Sequence, residues 1–333
     1  TMAHPCSSEN GRRSPRGTDE EEAEKESEHF RKIVDSFRYY KRHALEKIRN
    51  QEANWLKIPK AHQDMLPGHR SKFDAMRRAV QNNYEFILTI LRETENCFQP
   101  PPEMDEAEGE SSVRPDFRVR VTDPDDSGEV IGGSPMDMEK VQCTLRQFVR
   151  DWSEEGASER KQCYAPIVDT LRAYFAACPE EQRHQLRVLV PGAGLGRLVY
   201  DIASAGFSAQ GNEFSYHMLL ASNYALNHCG QADKHRIQPW VHQIMNVWRG
   251  DDQLRTCQVP DIPIGHLPPG VDFSMTAGDF LEVYAQDTES WDAVVTCFFL
   301  DTAHNVLASD SPPSRLAMCV LACAPTFCSP LSP

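Results

Sequence analysis

Residues Val188 to Leu198 read Val-Leu-Val-Pro-Gly-Ala-Gly-Leu-Gly-Arg-Leu, and no other stretch limits the possible folds as tightly. Three apolar β-formers run into a proline. Glycine then recurs at alternate positions, Gly192, Gly194 and Gly196, before a helical pattern opens at Arg197 and Leu198. The pattern predicts a strand, a tight turn and a helix start. A Cβ in such a turn would hold the backbone N–H groups and the helix N-terminus away from a ligand lying across it. The glycines therefore point to a nucleotide-type site at the carboxyl end of a first parallel strand.

The chain has 333 residues, enough for two domains, or for one ordinary domain with an appended helical part. Lys and Arg number 35 against 49 Asp and Glu, a net charge of −14, which argues against a polyanion held by general electrostatics, so no nucleic acid partner is expected. The eleven cysteines are scattered, several of them inside apolar patterns such as those around Cys163, Cys178 and Cys297, and no CxxC pair occurs. That usage suits reduced thiols in the cytoplasm or nucleus and gives no metal site. Residues 1–17 lack an apolar core of the secretory kind and no stretch approaches membrane-spanning length, so no membrane partner is expected. A homodimer is left open.

Along the chain, residues 1–28 pass from a basic Ser/Pro segment into the acidic block Asp19-Glu20-Glu21-Glu22 and read as a disordered arm. Residues 29–99 read as a helical region. Phe30, Ile33, Val34, Phe37, Tyr40, Leu45 and Ile48 recur at helical spacing, followed by a second stripe of Phe73, Met76, Val80, Tyr84, Ile87, Leu88 and Leu91. Pro100-Pro101-Pro102 and the acidic stretch after it mark residues 100–135 as a linker or loop. Order resumes near Met136, with two further helices, Val141 to Trp152 and Tyr164 to Phe175, leading into the glycine turn. Gln147 and Arg150, three apart, share a face of the first.

After the turn, a helix should run from Leu198 to Ala205 and stop at Gly206, with a second strand from Phe207 to Phe214. Glu213 closes that strand about twenty residues beyond the glycines, where a carboxylate can accept both hydroxyl hydrogen bonds of a ribose. The alternative is a solvent-facing Glu at a strand end. Tyr216 to Leu226 reads as a helix and Pro239 to Pro269 as loop. Phe273 to Phe280 reads as a third strand ending in Gly278-Asp279-Phe280, where an acid followed by an aromatic can accept the exocyclic amine of adenine and cover its ring. Taken alone, the pair would be a turn Asp and a core Phe. Trp291 to Leu300 reads as a buried fourth parallel strand, with Asp301-Thr-Ala-His304 at its carboxyl end over the same crevice.

This order of features resembles a class I S-adenosylmethionine-dependent methyltransferase. A dinucleotide fingerprint wants Gly-x-Gly-x-x-Gly, whereas here Gly196 is followed by the bulky Arg197. The blocks Gln147-Phe-Val-Arg150-Asp-Trp, Val190-Pro-Gly-Ala-Gly-Leu-Gly-Arg-Leu, Gly211-Asn-Glu-Phe214, Phe273-Ser-Met-Thr-Ala-Gly-Asp-Phe280 and Thr296-Cys-Phe-Phe-Leu-Asp-Thr-Ala-His-Asn305 resemble the carnosine N-methyltransferase family more specifically, over about Phe30 to Val306. The resemblance implies a Rossmann-like α/β sheet, S-adenosylmethionine as cofactor, and methylation of an imidazole nitrogen of carnosine, or of a related His-containing peptide, to give anserine. It implies that Gln147 and Arg150 reach the methionine part of the cofactor and that Gly192 and Gly194 give backbone access. Glu213 would hold ribose, Asp279 and Phe280 adenine, and Cys297 would line the pocket. Asp301 would face the substrate and fix the imidazole tautomer, with His304 assisting or serving only as a helix-start residue.

After Val306 the resemblance stops, and residues 307–333 form a Cys- and Pro-rich tail. On this reading residues 136–306 form a partial methyltransferase domain with strands one to four only. The tail would replace the family's further strands and the substrate-contacting His and Tyr that they carry. Two alternatives follow: a catalytically impaired form that binds cofactor weakly or pairs with a complete subunit, and, more distantly, a NAD-dependent dehydrogenase.

Overall fold

The computed structural model describes residues 15–94, 132–245, 248–285, 287 and 290–299. Two long helices come first, α1 (Pro15–Leu56) and α3 (His69–Thr94), joined through the single turn α2 (Lys60–Gln63). Their stripes meet as expected: Phe30, Phe37, Tyr40 and Ile48 of α1 are buried with Val80, Tyr84, Ile87 and Leu91 of α3. Burying each such side chain stabilises the fold by roughly 1.5–3 kcal/mol. Helix α1 starts at Pro15, inside the stretch read as a disordered arm. The Glu, Lys and Ala residues there are good helix formers, and Ala23 and Ser27 are buried where the helix passes the rest of the protein.

Helix α4 (Pro135–Trp152) starts where Ser134 caps it. The Ser134 Oγ accepts from Asp137 N at 3.1 Å while Asp137 Oδ2 accepts from Ser134 N at 3.0 Å, and Pro135 occupies the first turn, where its missing N–H costs nothing. Its apolar face, Met138, Val141, Leu145, Phe148 and Trp152, joins the same cluster as α1 and α3. Two shorter helices follow, α5 (Ala157–Cys163) and α6 (Ala165–Tyr174).

The central sheet is parallel. Strands β1 (Arg187–Pro191), β2 (Ser208–Glu213), β5 (Phe273–Ala277) and β6 (Ala293–Val294) lie in the order β5-β2-β1-β6, with Val190 opposite Gly211 and Gly211 opposite Met275. Helices α7 (Arg197–Ser204) and α8 (Tyr216–Asn227) make the connections, so β1 sits centrally with its carboxyl end at the point where the strand order reverses. Crevices form at such points.

Two expectations need correction. The ladder of the fourth strand spans only Ala293 and Val294, paired to Val188 and Leu189; Val295 N still donates to Leu189 O at 2.9 Å, and the chain then bends at Cys297 and Phe298, the latter left-handed with φ 56°. The segment read as loop between Pro239 and Pro269 contains β4 (Cys257–Val259), which pairs antiparallel with β3 (His235–Ile237). Ile237, Cys257 and Val259 are buried against the helical cluster, and that burial holds strands too short to show in the sequence. Helix α9 (Phe280–Val283) is one turn after β5. No helix among the described residues is long and apolar enough to cross a membrane.

Candidate active site

The turn after β1 is built as its sequence requires. Gly192, Gly194 and Gly196 all have positive φ, at 67°, 55° and 76°. At Gly196 a Cβ would also stand 2.7 Å from Leu226 Cδ1, so the turn and the approach of α8 both depend on glycine. Ala193 N donates to Asn212 O at 3.0 Å, which lashes the turn to the end of β2. The Phe299 ring packs on Gly192, where a Cβ would lie 2.6 Å from Cδ2, and meets Phe280 edge-on at 5.9 Å.

Glu213 closes β2 beside this turn. Its Oε2 accepts from Gly194 N and its Oε1 from Ser215 N, both at 2.8 Å. Burial raises its pKa, while these backbone N–H groups and that of Phe214 pull the other way. The carboxylate retains acceptor capacity beyond these N–H groups. Asp279 follows β5 and caps α9: its Oδ1 accepts from Leu281 N at 2.8 Å and Glu282 N at 3.3 Å, and its Oδ2 has no hydrogen-bond partner among the described residues. The Phe280 ring is half-buried next to it.

On the other side of the turn, α4 brings Gln147 and Arg150 together through a residue not foreseen as part of the site. Asp151 is 1% exposed, and its carboxylate accepts from Gln147 Nε2 at 2.9 Å, Arg150 Nε at 3.0 Å and Tyr164 Oη at 2.8 Å. A Cβ on Gly194 would lie 3.5 Å from Gln147 Nε2 and 3.8 Å from Asp151 Oδ2, so this cluster abuts the glycine turn. The Arg150 guanidinium stacks on Phe298 at 5.2 Å. Burial is the largest single influence and acts to lower its pKa, but Asp151, Tyr164 and Glu159 together outweigh it and raise the pKa, which keeps the group charged. A sequence signal for Asp151 exists: a carboxylate one turn after Gln147 and next to Trp152, among the apolar residues of α4.

Arg197 is bulky where close packing of helix on strand is expected. Its guanidinium leaves that contact, stacks on Trp152 at 4.9 Å, and donates to Asp151 O at 2.9 Å, Asp261 Oδ1 at 2.8 Å and Asp201 Oδ1 at 2.9 Å. Arg160 Nη2 donates to the other Asp261 oxygen at 2.5 Å, and Trp152 Nε1 donates to Leu195 O at 3.1 Å. These bonds tie the end of α4 to the turn. Cys297 is 9% exposed and belongs to the apolar cluster of Val190, Ala193 and Tyr164. Asp301 and His304 lie outside the described residues, as does the 307–333 tail.

A parallel sheet with a left-handed glycine turn at its reversal point and carboxylates at the ends of the next two strands on one side, β2 and β5, defines a mixed α/β protein, an architecture compatible with a methyltransferase. Residues 127–309 match the family model for carnosine N-methyltransferase. The chain is 40% identical over 294 residues to the carnosine N-methyltransferase of Mus musculus and 41% identical over 294 residues to that of Rattus norvegicus, in each case covering 88% of this chain and 68% of the relative. It is 38% identical over 289 residues to "Carnosine N-methyltransferase unmet" of Drosophila melanogaster, covering 85% of this chain and 62% of that protein. The chain belongs to the carnosine N-methyltransferase family, which sets aside the dehydrogenase alternative.

Proposed function

We propose that this chain transfers a methyl group from S-adenosylmethionine to an imidazole nitrogen of carnosine, giving anserine. The observation that carries this reading is the row of acceptors and donors around the glycine turn. Arg150 and Gln147 stand on one side, Glu213 on the turn itself, and Asp279 and Phe280 beyond it.

Those groups fit the cofactor. Glu213 keeps acceptor capacity for ribose hydroxyls beside the turn, and Asp279 Oδ2 is available to the adenine amine. The Arg150 Nη groups form a fork for a carboxylate. When bound, S-adenosylmethionine supplies an electrophilic methyl group on its sulfonium. Arg150 and Gln147 hold the amino acid end, Glu213 orients the nucleoside, and the Phe280 ring keeps water from the adenine face. Asp301, from its place in the sequence, accepts the N–H of the substrate imidazole and fixes the tautomer whose other nitrogen carries the attacking lone pair. Catalysis then rests on positioning and on a neutral imidazole.

Six cysteines among the described residues are free thiols, which supports a cytoplasmic and nuclear location. Calorimetric titration with S-adenosylhomocysteine tests the cofactor reading. Saturable binding by the wild type, abolished or weakened at least tenfold in Glu213→Ala, is expected, followed by methyl transfer to carnosine. A folded chain that does not bind would refute it.

A further inference from the structure

We propose that Asp151 is a positioning residue that selects the zwitterionic amino acid end of the cofactor by deciding which atoms of Gln147 and Arg150 remain available. The proposal rests on the reading of the site as an S-adenosylmethionine site and deepens it. A Gln side chain carries both a donor and an acceptor, and an Arg carries three nitrogen donors, so their presence near the turn does not by itself specify a ligand. The Asp151 carboxylate resolves this. It accepts one N–H of the Gln147 amide at 2.9 Å, which fixes the orientation of that amide and leaves its acceptor, Oε1, unclaimed by the carboxylate. It takes up Nε of Arg150 at 3.0 Å, which leaves Nη1 and Nη2, the two parallel donors. An acceptor beside a cationic fork is the complement of an α-ammonium beside an α-carboxylate.

Two further contacts hold Asp151 in register, and a third holds Arg150. Tyr164 Oη donates to the same carboxylate oxygen as Arg150 Nε, at 2.8 Å. The Asp151 carbonyl accepts from Arg197 Nη1 at 2.9 Å. Phe298 covers the face of the Arg150 guanidinium at 5.2 Å and so restricts the fork to its own plane. The carboxylate is buried, so water does not compete for its lone pairs, and Gln147 and Arg150 meet the ligand already ordered.

The test separates this role from simple support of the fold. Affinities for S-adenosylhomocysteine, which carries the zwitterion, and for adenosine, which lacks it, are measured for wild type, Asp151→Asn and Tyr164→Phe. In Asp151→Asn the side-chain amide cannot accept from both partners, so S-adenosylhomocysteine should bind roughly 10–100-fold more weakly while adenosine binds as before. Tyr164→Phe, a milder change that leaves Asp151 in place, should show the same split at roughly two- to fivefold. Parallel losses for both ligands would reduce Asp151 to a structural residue and overturn the proposal. Unchanged S-adenosylhomocysteine affinity in both variants would also overturn it. A wild type that binds neither ligand would defeat the cofactor reading itself, and the positioning role with it.

Discussion

Asp261→Asn removes one negative charge from between two buried guanidiniums. The side chains of Asp261, Arg160 and Arg197 are 6%, 7% and 9% exposed, and Asp261 bonds one arginine through each oxygen, at 2.5 and 2.8 Å. Arg197 keeps Asp201 as a second carboxylate, whereas Arg160 is left with the carbonyls of Arg150 and Ser153. Stranding a buried charge in this way costs about 3–5 kcal/mol, against well under 1 kcal/mol for a typical exposed pair. For a chain of 333 residues that is a fall in Tm of roughly 4–7 °C. The assay is thermal unfolding at pH 7 of wild type, Asp261→Asn, Arg160→Met and the double variant. Because Met carries no charge, the double variant should be more stable than the sum of the two single losses predicts, with a coupling of about 1.5 kcal/mol or more. A Tm change below about 2 °C, or additive losses, would show that solvent reaches these groups and that the buried-pair reasoning is wrong.

Gly196→Ala places a side chain at φ 76° and 2.7 Å from Leu226 Cδ1, so unfolding by urea should report a loss of roughly 2–4 kcal/mol; a loss near zero would mean that the turn relaxes freely. Asp279→Asn keeps an oxygen to cap α9 but turns a donor toward the adenine amine. Stability should be unchanged while adenosine affinity drops roughly tenfold, and equal adenosine affinity would remove Asp279 from the site. Burial lowers the pKa of His217 and His235 to about 4 and that of His242 to about 3, from 6.5 when unfolded. The unfolded chain therefore takes up protons first: stability is intact above pH 6.5 and is lost as pH falls toward 4. The slope is about 1.4 kcal/mol per pH unit for the fully buried His217, less for the half-buried His235 and His242. Urea midpoints at pH 7 and pH 5 check this, and equal midpoints would contradict it.

The helices and the β1 turn are legible in the chain because each depends on local chemistry repeated over many residues. The stripe from Phe73 to Leu91 and the alternate glycines after Val190 could hardly serve another structure. The start of α1 is not legible, because the charged composition there argues for disorder and only the burial of Ala23 and Ser27 against the rest of the protein favours helix. Strands β3 and β4 escaped because three residues carry no periodicity, and only tertiary burial of Ile237 and Val259 makes them strands. At the site, the spacing placed Glu213 and Asp279 at their strand ends. Asp151 was not visible in the same way, since its partners come from the preceding turn, its neighbour and a residue on another element, Tyr164. Arg197 looked like an obstacle, because its carboxylate partner Asp261 is 64 positions away.

The apolar cluster shared by α1, α3, α4 and α8 sets the smallest piece of this protein that can stand alone. The family match begins at residue 127, yet Phe148, Trp152 and Tyr224, all within it, share that cluster with Phe30, Phe37 and Phe86, which precede it. A fragment cut at the family boundary would leave those inner faces wet and should precipitate rather than fold. The block that the family model covers and what folds as a unit are thus different lengths of chain, and any chimera joining this protein to a relative must carry the helices with the sheet.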